Sequence, residues 1–220
     1  MSVPEYIGII PARKGSKRLP NKNLLYLGGI PLIGWTIKAA QDSKHITKIV
    51  VSSDSDQILE FSASMNVDYC HKRAKYLSTD ESSSVDVAID VLQHYQASNI
   101  VLLQPTSPLR NASHIDAAIE LFKKVNHNVV SISQSSKGSA IKFPIQFNSL
   151  TLKIDIPYED NQNDSIHQLN GAIYVLSASK LKKEKAFINK NTCGFLMDND
   201  CSIDIDFQED LDLAQRLIEK

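Results

Sequence analysis

Short apolar runs alternate with amphipathic stretches along this chain, and that alternation narrows the available folds more than any other feature. The runs are YIGII (6–10), KIVVSS (48–53), VDYC (67–70), NIVLLQ (99–104) and NVVSIS (128–133). They are rich in Val and Ile and apolar nearly throughout, the pattern of strands covered on both faces. Between them, LIGWTIKAAQ (32–41), DQILEFSASM (56–65), SVDVAIDVLQHYQ (84–96) and ASHIDAAIELFKKV (112–125) carry helical periodicity. Ser113, with Asp116 three residues on, reads as the N-cap of the last of these. The order predicts an α/β fold: a Rossmann-like, mostly parallel sheet with helices on both faces. GAIYVLS (171–177), TCGFLM (192–197) and SIDID (202–206) read as further strands before a last helix, EDLDLAQRLIEK. Ligands of such sheets sit beyond the carboxyl ends of the strands.

Residues 134–168 break this rhythm. They are polar and turn-rich, with two short alternating segments, PIQFN and LTLKI. A hairpin excursion fits better than another crossover unit. Exposed hairpins pair readily with another chain, so the excursion is expected to cross to the partner of a homodimer. It could also fold as a flap over its own site. With 220 residues, 42% of them hydrophobic, one domain over 1–220 is expected. A formal net charge of −1 excludes nucleic acid or membrane binding driven by overall charge, so any anion site must be local. No apolar stretch approaches the ~20 residues of a membrane span, and MSVPEYIGII lacks the pattern of a signal peptide. Cys70, Cys193 and Cys201 have no metal-ligand spacing and read as reduced thiols of a cytoplasmic protein. The six histidines likewise show no ligand spacing.

Two stretches carry chemistry. IIPARKGSKRLPNKN (9–23) gathers Arg13, Lys14, Lys17, Arg18 and Lys22 around one Gly-Ser pair, directly after the first strand. Gly15 allows close backbone approach to an anion, and successive N–H groups can form a nest. Ser16 adds a hydroxyl, Arg13 a bidentate fork and Lys22 a compact charge. The stretch lacks both the Walker pattern and the dinucleotide fingerprint. It reads either as a polyphosphate cradle or as a solvated basic loop. In SIDID, a strand would turn Asp204 and Asp206 to one face. Adjacent carboxylates repel unless a cation lies between them, and Mg²⁺ favours such oxygens. The competing readings are an edge strand with alternating acids, or Asp206 as the N-cap of the last helix.

The opening motif resembles that of the acylneuraminate cytidylyltransferases, the CMP-sialic acid synthetases. The resemblance continues through GGIPLIGWTIKAA, VVSSDSDQI, KRAKYLSTDESSSVDV, VLLQPTSPLR, LNGAIYV and SIDIDFQEDLDLA, in family order over nearly the whole chain. It implies transfer of CMP from CTP to the anomeric hydroxyl of a nine-carbon 2-keto sugar acid, with release of pyrophosphate. The alternative acceptors are legionaminic, pseudaminic and ketodeoxyoctonic acid; a catalytically silent nucleotide-binding module is a more distant alternative. The resemblance gives the triphosphate to Arg13, Ser16, Lys22 and Asn23, and the base to Arg73, Ser82 and Ser84. It gives the sugar or ribose hydroxyls to Gln104, the sugar to Lys142 and Asn170, and the surroundings of the N-acyl group to Phe187. Asp204 and Asp206 would hold Mg²⁺ (or Mn²⁺), and Arg13, Lys22 and Asp206 would act in catalysis, Asp206 as a candidate proton acceptor.

Overall fold

The computed structural model describes residues 3–79, 81–134, 144–148, 151–153 and 167–219. Its main strands are β1 (Tyr6–Pro11), β4 (Lys48–Ser53), β5 (Tyr69–Lys72), β6 (Asn99–Leu102), β7 (Val129–Gln134), β10 (His167–Ser177) and β11 (Cys193–Met197). They form one sheet in the order β11-β7-β10-β6-β1-β4-β5. β1, β4, β5 and β6 run parallel, as do β7 and β11. Only β10 among these runs against its neighbours, β6 and β7. A two-stranded ribbon, β2 (Tyr26–Leu27) with β3 (Ile30–Pro31), stands apart.

The helices are α1 (Leu32–Gln41), α2 (Asp56–Ser64), α3 (Ser84–His94), α4 (Ala112–Val125), α5 (Ala178–Glu184) and α6 (Gln208–Ile218). Strand side chains alternate between two cores. Ile10, Val51 and Val101 pack with Ile37 of α1, Ile58 of α2 and Ile115 of α4. Ile9, Val50 and Ile100 pack on the other face with Val91 and Leu92 of α3 and Leu181 of α5. Burial on both faces is what makes these strands continuous apolar runs.

Two expectations need correction. Asn111, not Ser113, caps α4: its Oδ1 accepts from the His114 N–H at 3.1 Å, while the Ser113 hydroxyl donates to the same oxygen. Asp116 is drawn instead to the Ser43 hydroxyl, at 2.6 Å. SIDID is not a strand. It pairs with no neighbouring strand, and the Ile205 N–H donates to the Thr106 carbonyl at 2.8 Å. Asp206 is not a cap either; the Asp210 carboxylate accepts from the Asp206 and Phe207 N–H groups and so starts α6. Within 134–168, β8 (Pro144–Asn148) and β9 (Thr151–Lys153) form an antiparallel hairpin that joins β10 through β8.

A third apolar cluster joins the basic loop to the segment before α6. It unites Leu19 of the basic loop, Leu27 of the β2–β3 ribbon, Leu32 of α1, Ile205, and Leu211 and Ala214 of α6, with Leu109 and Ile203 against them. Ile205 is completely buried between Asp204 and Asp206. Ile205→Ala is expected to destabilise the fold by about 2–5 kcal/mol through loss of a buried side chain, read as a lower urea midpoint. A midpoint shift worth less than about 1 kcal/mol would show that the segment is not held by that cluster.

Candidate nucleotide site

Because β1, β5 and β6 are parallel, the loops that follow them emerge at one edge of the sheet. They enclose a cleft of ≈ 310 Å³. The loop after β1 contributes Arg13, Gly15, Ser16, Lys22 and Asn23; the segment after β5 contributes Arg73 and Ser82, with Ser84 at the start of α3. Gln104, Pro105 and Thr106 come from the loop after β6, and Asp204 and Asp206 close the remaining side. An adjoining hollow is lined by Arg13, Ser16, Lys17, Arg18, Lys22 and Asp206. The basic loop and the acidic couplet therefore converge from opposite ends of the described chain.

The loop is tied down at several points. The Asn23 side chain donates to the Arg13 carbonyl at 2.9 Å, the Lys14 N–H donates to Asp54 Oδ1 at 2.7 Å, and Ser16 Oγ accepts from the Leu19 N–H at 3.4 Å. Asn23 is itself buried. Gly15 lines the cleft, and a Cβ added there would meet nothing within 4 Å beyond its chain neighbours. Asp206 receives two cations: Lys22 Nζ at 3.0 Å on Oδ1, and Arg18 Nη1 at 2.5 Å on Oδ2. Arg18 also lies over the Phe207 ring, 5.2 Å from its centroid. The like-charge repulsion expected of Asp204 and Asp206 is thus relieved in part by the basic loop itself. Arg18 and Asp54 were legible as charged residues in the sequence, but only folding brings them to these partners.

Arg73 is buried in the cleft wall. Its Nη2 donates to the Ser52 carbonyl at 2.8 Å and its Nε to Ser52 Oγ at 3.3 Å. Burial, with Arg13 adding to it and Asp54 opposing it, lowers its pKa to about 10, so the guanidinium stays charged near neutral pH. Ser82 Oγ donates to the Tyr76 carbonyl at 2.9 Å and accepts from the Thr79 N–H at 3.2 Å. Ser83 caps α3 by accepting from the Asp86 N–H. Burial and the Asp204 carboxylate push the Tyr174 phenol up to about 12.

The expected sugar residues are dispersed. Gln104 lines the cleft and abuts Gly171, where φ is +75° and an added Cβ would lie 3.0 Å from Gln104 Oε1. Gly171 lies where β10 loses register between Leu169 and Tyr174. Asn170 is buried outside the cleft lining. Its Oδ1 accepts from the Ser131 hydroxyl at 2.5 Å and its Nδ2 donates to Ser202 Oγ at 2.9 Å. Phe187 packs on Tyr174 with centroids 5.1 Å apart, also outside that lining. Lys142 lies outside the described residues. Arg110 is fully buried, and its Nη2 donates to Thr36 Oγ1 at 2.8 Å; burial lowers its pKa to about 9.

Known proteins resemble this chain in sequence and in fold. The family model for cytidylyltransferases matches residues 7–217. The chain is 36% identical to a CMP-N,N'-diacetyllegionaminic acid synthase of Legionella pneumophila, over 97% of this chain and 96% of that one. It is also 36% identical to an N-acylneuraminate cytidylyltransferase of Escherichia coli, over 97% of this chain but 52% of that protein, so it spans about half of that relative. Its fold superposes with a TM-score of 0.83 on CMP:2-keto-3-deoxy-manno-octonic acid synthetase solved with CTP, covering 98% of each chain at 18% identity. The match runs through the mostly parallel sheet with the basic loop and the acidic couplet beyond its strands. The chain belongs to the cytidylyltransferase family.

Gly171→Ala should cost about 1–2 kcal/mol, because an L-residue is strained at that φ and its methyl presses on Gln104. Equilibrium urea unfolding measures this; an unchanged midpoint would mean that the bulge relaxes without cost.

Proposed function

We propose that the chain transfers CMP from CTP to the anomeric hydroxyl of a nine-carbon 2-keto sugar acid of the sialic acid class, releasing pyrophosphate. The observation that carries this reading is the meeting of Arg13, Ser16 and Lys22 with Asp204 and Asp206 in one cleft. In the reaction the sugar oxygen bonds to the α-phosphorus, the bond from that phosphorus to the bridging oxygen breaks, and the hydroxyl gives up its proton. Negative charge grows on the departing pyrophosphate, where fixed cations act best. Arg13 and Lys22 supply them, with Ser16 and the loop N–H groups as donors; Asn23 holds the loop through the Arg13 carbonyl.

Arg18 and Lys22 engage Asp206. A triphosphate offers them a denser negative charge, so CTP draws them off the carboxylate and frees Asp206 to hold a metal or accept the sugar proton. Two carboxylates beside a phosphate cradle suit Mg²⁺ (or Mn²⁺), which takes one or two protein oxygens and completes its shell with phosphate and water. Bound there, the ion would neutralise charge on the phosphates. Arg73, with Ser82 and Ser84, would read the base, since a mismatched base leaves buried donors unpaired. Gln104, Lys142, Asn170 and Phe187 are proposed for the sugar side. Asn170 would need to exchange its present partners, whereas Gln104 already faces the cleft.

The acceptor is argued from the relatives, whose names include both sialic and legionaminic acid. Pyrophosphate release should be measured with CTP and sialic, legionaminic, pseudaminic or ketodeoxyoctonic acid in turn. A nine-carbon acid should give the highest kcat/KM, and no release with any of them would leave only a silent nucleotide-binding module. Release of pyrophosphate should cease on chelation and return with Mg²⁺. Asp204→Ala should lower kcat by at least ~100-fold while CTP binding persists; unchanged kcat would overturn the metal assignment.

We place the protein in the cytoplasm, as a homodimer whose 134–168 excursion reaches the partner. The β8–β9 hairpin, which leaves the main sheet through β10, supports this. Among the described residues no helix is long and apolar enough to cross a membrane. Light scattering at micromolar concentration should return twice the chain mass of 24.5 kDa; a monomer there would end the dimer proposal.

A further inference from the structure

Behind the cleft wall, the edge strand β5 and helix α3 bring together side chains that the nucleotide chemistry does not use. Asp90 and His94 are four residues apart on α3 and so share one of its faces. His71 of β5 faces them. One ligand atom from each of His71, Asp90 and His94 can be chosen so that all lie within 4.8 Å of one another. His71 Nε2 stands 3.3 Å from Asp90 Oδ2, and the His71 and His94 ring centroids are 5.3 Å apart. No histidine spacing in the sequence announces this group, because its third member comes from another element.

We propose that His71, Asp90 and His94 form a site for a divalent transition metal, with Zn²⁺ as its natural occupant. Two imidazoles and one carboxylate are a zinc-type donor set, whereas Mg²⁺ and Ca²⁺ seek oxygen alone. The site is therefore chemically distinct from Asp204 and Asp206. Burial is graded across it: His71 is buried, Asp90 intermediate and His94 exposed. That gradient leaves an entry path and room for water as a fourth ligand.

The surroundings suit the role. His71 Nδ1 lies 3.0 Å from Ser52 Oγ. A metal on Nε2 requires the proton on Nδ1, where it donates to that hydroxyl oxygen; such a bond from the second ring nitrogen is the usual means of orienting a ligating histidine. Tyr95 stands edge-on to the His71 ring at 6.1 Å and stacks on Tyr69 at 4.5 Å, giving the site an aromatic rim. Ser52 also receives Arg73 Nε on its hydroxyl and Arg73 Nη2 on its carbonyl. Occupancy by metal would thus fix the hydroxyl that helps to hold a cleft arginine.

The test is titration of chelator-treated, dialysed full-length protein with ZnCl₂ by calorimetry, without nucleotide, and with CoCl₂ followed by visible absorption. The wild type should bind one Zn²⁺ per chain at about 1 μM or tighter, and Co²⁺ should give ligand-field bands of a low-symmetry site. His94→Ala, at an exposed position outside the core, and Asp90→Asn should each weaken Zn²⁺ binding at least ~10-fold, with circular dichroism unchanged. Asp204→Ala should bind Zn²⁺ as the wild type does. If the wild type takes no Zn²⁺ below about 100 μM, or if His94→Ala and Asp90→Asn bind it undiminished, the three side chains are a hydrogen-bonded cluster and the proposal fails. Loss of binding in Asp204→Ala alone would move the metal to the cleft and overturn it equally.

Discussion

At the cleft, Asp206 meets Lys22 and Arg18 across 184 and 188 residues of chain. Coulomb attraction in a partly buried setting is stronger than at an open surface, and here it ties the basic loop to the segment before α6. The apolar cluster of Leu19, Leu27, Ile205 and Leu211 lies beneath that pairing. It orders the backbone on both sides, so the charges meet without first organising it. Removing the apolar support would leave a flexible charge pair, and exposed pairs contribute little.

The same pairing gives the cationic loop a partner within its own chain. Five Lys and Arg residues gathered in a fifteen-residue stretch repel one another. A carboxylate inside the cluster offsets that repulsion, and it is the kind of contact a triphosphate can replace. An exchange of this sort keeps charges paired in both states. Its net gain on binding is smaller than the gross attraction, because the two ion pairs to Asp206 are lost as others form.

Much of the fold was legible because burial on both sheet faces leaves a simple mark: α1, α4 and β4 begin and end where the apolar periodicity places them. SIDID misled. Its alternation was real, with Ile205 inward and both aspartates on the cleft, but alternation does not require a ladder partner. The reversed direction of β10 was invisible too, since a strand buried among others reads alike in either sense. At the site, the loop residues, Arg73, Ser82, Ser84 and Gln104 were readable from motif and resemblance and line one cleft. Arg18's contact with Asp206, Asp54's hold on the loop and the His71–Asp90–His94 group were not. Each joins elements far apart in sequence, and no local pattern records such meetings.

The long separation between the two halves of the cleft also bears on synthesis. A growing chain emerges with the basic loop first, and β1 must wait for β4 and β6 before its neighbours in the sheet exist. Asp204 and Asp206 follow later still. Until then the basic loop lacks the carboxylate that Arg18 and Lys22 meet in the folded chain. Both walls of the cleft therefore exist only once residues 203–206 have seated Ile205 and brought Asp206 to the loop.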